Sequence, residues 1–122
     1  MMNSKQMAMG EGGGLWLLKA FSGALLVIIL AIHLVVNHLV YESGVMSWQD
    51  VVIYYQNPII VILEAVFLVS VVAHALLGLR GILLDLQPSN AILVWINRLS
   101  LAIGIVAVLY GLWLLLTVAS FG

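Results

Sequence analysis

Three long apolar runs, parted by two short polar connectors, decide what this chain can become. They extend from about Leu15 to Val40, from about Pro58 to Leu86 and from about Ala91 to Ser120. Each exceeds the roughly 20 residues a helix needs to cross about 30 Å of hydrocarbon. A soluble domain must cover its surface with charge, yet only 7% of these 122 residues are charged and 65% are hydrophobic, with a mean hydropathy of +1.24. The expected fold is an all-α integral membrane domain of three transmembrane helices, spanning 15–122 behind a leader over 1–14.

The connectors carry the signals that delimit these spans. The leader, MMNSKQMAMGEGGG, lacks the compact basic region and cleavage site of a secretory signal and reads as a flexible cytoplasmic segment. Trp16 and Tyr41 stand near the ends of the first span, where interfacial aromatics belong. A short interfacial helix is expected over Trp48 to Tyr55. Asn57 caps the next span and Pro58 opens it. Pro88 discourages continuation of the second span, and Ser89 or Asn90 caps the third. Asn97, Ser100, Gly104 and Gly111 share one face of the third span, a small and polar seam on which membrane helices pack. Lys5, Lys19, Arg80 and Arg98 all fall on the N-terminal side, which places the N-terminus and the 87–90 turn in the cytoplasm, with the chain in the cell's inner membrane. No cysteine is present, which excludes a disulfide framework, cysteine-ligated clusters and thiolate catalysis. A net charge of −1 gives no case for nucleic acid.

Ionisable groups inside a bilayer are costly and have a partner or a task. His33, Glu64, His74 and Arg80 lie well inside; Lys19 and Asp85 lie at the cytoplasmic edge. The stretch VAHALLGLRGILLDL (72–86) concentrates them. Residues three, four or seven apart share a helix face, so His74, Gly78, Gly81 and Asp85 form one stripe. The glycines leave flat surface on which a planar cofactor can lie, held through its metal by His74. Two roles for His74 stand side by side: a ring that only hydrogen-bonds a neighbouring helix, and an axial ligand to haem. At about 1.5 Å per residue, His74 lies roughly 18 Å from the end of its helix at Leu86, and His33 roughly 27 Å from the start of its own at Leu15. Their different depths argue against one haem taking both, whereas two stacked haems could take one each. Arg80 has the reach for a propionate, a quinone oxygen or a lipid phosphate. Glu64 is a candidate proton relay, or a neutral acid bonded between helices.

The run His74-Ala-Leu-Leu-Gly78-Leu-Arg80-Gly-Ile-Leu-Leu-Asp85 resembles the second-helix motif H-x3-G-[IL]-R-x4-D of the membrane-anchor (cytochrome b) subunits of succinate dehydrogenase and fumarate reductase. Phe21-Ser22-Gly23 and Ile32-His33-Leu34 resemble first-helix features of the same family. The resemblance implies half of a two-chain, haem-binding helical bundle. It implies haem b, one or two per complex, with His74 and His33 as iron ligands and Arg80 at a propionate. It also implies a quinone site, for menaquinone or ubiquinone, near Ser22, Asp85 and Lys19. The implied partners are a second membrane anchor, an iron–sulfur subunit and a flavoprotein subunit, so the chain is a non-flavin subunit without a complete active site of its own. Ala20 and Leu86 depart from the family pattern, where arginine and tyrosine are frequent. Two other assignments fit parts of the pattern: a cytochrome b subunit of another respiratory dehydrogenase, and a small proton-coupled transporter using Glu64.

Overall fold

The computed structural model describes residues 12–40 and 46–122. Residues 1–11 of the expected leader, and Tyr41 to Val45 of the first connector, lie outside the described residues. Helix α1 (Gly13–Val35) runs into a π-helical turn over Val36–Val40. Helix α2 (Trp48–Tyr54) is short, and α3 (Pro58–Asp85) and α4 (Asn90–Ala119) are long. No strand occurs among the described residues. Helices α1, α3 and α4 are each long and apolar enough to cross a membrane. At about 1.5 Å per residue their 23, 28 and 30 residues reach roughly 35, 42 and 45 Å, so α3 and α4 exceed a hydrocarbon layer of about 30 Å and must tilt or project from it. This is a multi-pass membrane protein.

Helical form follows from the solvent. Hydrocarbon offers no partner for a backbone N–H or C=O, and a helix satisfies both within its own segment. Its ends still leave orphan donors, and side chains meet them here. Ser47 Oγ accepts from Asp50 N at 3.2 Å while Asp50 Oδ2 accepts from Ser47 N at 2.8 Å, a reciprocal capping box on α2. Ser47 Oγ also donates to Asp50 Oδ2 at 2.7 Å, and this bond first, with the Ser47 N–H second, holds the exposed Asp50 carboxyl below its ordinary range. Asn57 Oδ1 accepts from Ile59 N ahead of Pro58, and Ser89 Oγ accepts from Ile92 N ahead of α4. Of the two expected caps for α4, Ser89 is the one used. Gln87, at φ 50°, turns the chain in the left-handed region between α3 and α4.

Helix α3 is the middle member, packed against α1 on one side and α4 on the other. Both pairings are antiparallel. The α4 seam works as its residue types suggest: a Cβ on Gly104 would come within 2.9 Å of Leu76, and one on Gly111 within 2.5 Å of Leu68. The glycines let Leu76 and Leu68 of α3 sit directly on the α4 backbone. Only Leu26, Ile29 and Leu84 are buried among the described apolar side chains, together with Ser22 and Ser70. A row of three helices leaves most of each helix on its outside, where lipid or another apolar chain is the natural neighbour. At the opposite end from the 87–90 turn, Gln56 Nε2 donates to Ala119 O and Trp48 meets Phe121 edge-on, tying α2 to the end of α4.

Candidate cofactor and proton sites between α1 and α3

The His74 stripe faces α1. A Cβ on Gly81 would lie 3.7 Å from Lys19 Nζ, and His74 itself meets Lys19, Ser22 and Gly23. Gly23 is what admits the ring: a Cβ there would stand 2.9 Å from His74 Cε1 and 3.3 Å from Nδ1. His74 Nδ1 lies 3.1 Å from the Lys19 carbonyl oxygen and 3.3 Å from Ser22 Oγ. A carbonyl oxygen can only accept, so the ring proton belongs on Nδ1. Nε2 is then left with its lone pair, the form in which a neutral imidazole ligates a metal. No side chain stands over Gly78; nothing lies within 4 Å of where its Cβ would be. A half-buried imidazole with one nitrogen held, and open glycine surface one turn along the same stripe, fits a planar metal cofactor.

The second histidine is also joined to α3. His33 Nδ1 lies 3.4 Å from Glu64 Oε1, and its ring stacks on Phe67 with centroids 6.4 Å apart and planes 13° from parallel. The Glu64 side chain is 15% exposed and that of His33 42%, so the carboxyl is the more enclosed partner. Just outside the span, Tyr55 is half-buried, and its hydroxyl is pushed up by that burial first and by the Glu64 carboxylate second. His33 and Glu64 thus make one polar pair in the connector half of the α1–α3 seam, well removed from the His74 cluster. Among the described residues no group of three or more His, Cys, Asp or Glu is gathered as a metal site.

Arg80 is not brought to the His74 face. Six residues further along α3, it points to α4, where its Nε donates to Asn97 Oδ1 at 2.8 Å. Its Nη1 is buried with no hydrogen-bond partner. This pair stands at the polar end of an open groove of about 730 Å³, lined further by Leu18, Leu76, Ser100 and Leu109. Asp85 is exposed at the end of α3. Spacing along one helix could not show three of these contacts: the Lys19 carbonyl on His74, Glu64 on His33, and Asn97 on Arg80. Gly23 carried a usable signal, since it follows a serine in an otherwise bulky span.

Residues 3–112 match the family model described as succinate dehydrogenase/fumarate reductase transmembrane subunit. The chain is also similar to the succinate dehydrogenase hydrophobic membrane anchor subunit of Archaeoglobus fulgidus, 29% identical over 103 residues that cover 84% of this chain and 87% of that one. No solved structure matches it.

Proposed function

The chain belongs to the succinate dehydrogenase/fumarate reductase transmembrane-subunit family, and on that premise we propose that it binds haem b through His74 and anchors a succinate:quinone oxidoreductase in the membrane. It docks an iron–sulfur and a flavoprotein subunit on the cytoplasmic face and pairs with a second anchor chain, which completes the haem-binding bundle. The observation that carries this reading is the His74 ring: Nδ1 is engaged by the Lys19 carbonyl, Nε2 is available, and Gly78 leaves room beside it. Haem, when bound, supplies one-electron transfer between the iron–sulfur subunit and membrane quinone. The chain's own residues do the rest. Lys19 and Asp85 stand at the cytoplasmic mouth, where they position quinone and exchange protons, with Ser22 one turn deeper. Arg80, through the buried Nη1 that lacks a partner here, meets a propionate.

His33 ligates an outer haem where a second is bound. Glu64, 3.4 Å from His33 Nδ1, holds or passes a proton at that level of the membrane. Reduction of the purified complex with dithionite should give b-type absorption bands. His74→Ala should remove the cytoplasmic-side haem, and His33→Ala should affect only the second. An unchanged haem spectrum and content in His74→Ala overturns the ligand assignment. A wild-type complex without b-type bands would leave the chain a membrane anchor of this family that holds no haem.

A further inference from the structure

We infer that Ser22 is a positioning residue for the His74 imidazole: its hydroxyl, with the Lys19 carbonyl, fixes the ring proton on Nδ1 and sets how strongly Nε2 donates to a metal. This rests on His74 being the haem ligand. It gives Ser22 a task other than hydrogen-bonding quinone.

Ser22 is the most buried of the described side chains, at 4% exposure. A serine inside a helix commonly returns its proton to a carbonyl three or four residues back. Ser22 Oγ does so, donating to Lys19 O at 3.0 Å. A hydroxyl has one proton, and once that is spent its lone pairs are what it offers to His74 Nδ1 at 3.3 Å. Nδ1–H therefore meets two acceptors, Lys19 O and Ser22 Oγ, and both specify the same tautomer. The next residue completes the socket. Gly23 lacks the Cβ that would stop the ring 2.9 Å short, so Ser22 supplies an acceptor and Gly23 supplies the space. All three groups come from one turn of α1 and converge on one ring of α3.

An acceptor on the distal N–H of a ligating histidine orients the ring and raises its basicity. A more basic ligand favours the oxidised iron and lowers its midpoint potential. Removing the Ser22 acceptor weakens that donation and lets the ring rotate about a single remaining contact.

The test uses the whole complex in membranes or nanodiscs, with Ser22→Ala, Ser22→Cys and Ser22→Thr. Each is read by redox titration of the haem, by its low-spin paramagnetic resonance signal and by the KM for quinone. Ser22→Ala should keep the haem, raise its midpoint potential and move the resonance signal. Ser22→Thr, which retains the hydroxyl, should bring the potential back towards wild type. Should Ser22→Ala fail to assemble, Ser22→Cys carries the test, because sulfur is a weaker acceptor at this distance and the potential should rise again. Wild-type potential and resonance in both variants, or a raised quinone KM with an unaltered haem, overturns the inference. His74→Ala separates this from failure of the haem assignment: if it loses the haem while the Ser22 variants leave the potential untouched, only the role of Ser22 falls.

Discussion

Gly23→Ala puts the α1–α3 contact under the most direct load. The added Cβ would stand 2.9 Å from His74 Cε1, and ordinary contact begins at 3.4 Å, so the ring must retreat by roughly 0.5 Å. A retreat of that size away from α1 carries the 3.1 Å bond from Nδ1 to Lys19 O out to about 3.6 Å, beyond useful hydrogen-bond range. The ring has no easy escape, because it is a stiff plane held at one edge rather than the far end of a flexible chain. Overpacking of this kind costs about 1–3 kcal/mol. At about 1.4 kcal/mol per tenfold, the variant should hold haem roughly 5- to 150-fold more weakly. The assay is haem per flavin in the purified complex, together with the rate of haem loss to an excess of apomyoglobin. Wild-type haem content and an unchanged loss rate in Gly23→Ala would show that His74 does not need its observed seat against α1 in order to bind.

Three further outcomes are expected. Glu64→Gln should slow quinone-linked turnover, towards the about 100-fold that a positioned proton-transfer group contributes, with haem content unchanged; turnover at the wild-type rate leaves Glu64 only a structural bond to His33. Gly111→Ala should lower the melting temperature of the complex by the equivalent of about 1–3 kcal/mol, because its Cβ would fall 2.5 Å from Leu68 Cδ2 and 3.2 Å from Cγ, whereas Gly104→Ala meets one leucine methyl at 2.9 Å and should cost less. Asp50, held below its ordinary range by Ser47, favours the capped α2 above about pH 4; that contribution disappears as pH falls through the lowered folded-state value, so fluorescence from Trp48 in wild type and Asp50→Asn should differ at pH 7 and converge in acid.

The spans were legible because hydrocarbon demands one thing along a whole segment. A helix must stay apolar for its full crossing, and that requirement is local enough to read residue by residue. The expected 15–40, 58–86 and 91–120 become α1 with its π turn, α3 and α4, displaced by two residues or fewer at any end. Asn57 with Pro58, and Ser89, cap where their chemistry suggests. The seam on α4 was legible for a related reason: Gly104 and Gly111 lie seven residues apart, so one rotation of α4 serves both. The π-helical turn at 36–40 was not, since nothing in VNHLV departs from an ordinary helical end.

The candidate site was legible only as far as one helix at a time could show it. Spacing placed His74, Gly78 and Gly81 on one face, and that face does meet α1. Spacing could not say which atoms of α1 arrive there, because that depends on how α1 is rotated and how far it slides. The Lys19 carbonyl is the clearest case, since a main-chain acceptor leaves no mark in the sequence. Glu64 and His33 show the same limit, each being odd on its own helix while their pairing needs the antiparallel register of α1 on α3. Arg80 separates from His74 by simple arithmetic. Six residues at 100° each bring it 120° round from His74, enough to turn it from the α1 seam to Asn97 on α4. A central helix flanked on both sides can thus keep an imidazole in one seam and a guanidinium in the other, so a group held by His74 must extend past the edge of α3 before Arg80 can reach it.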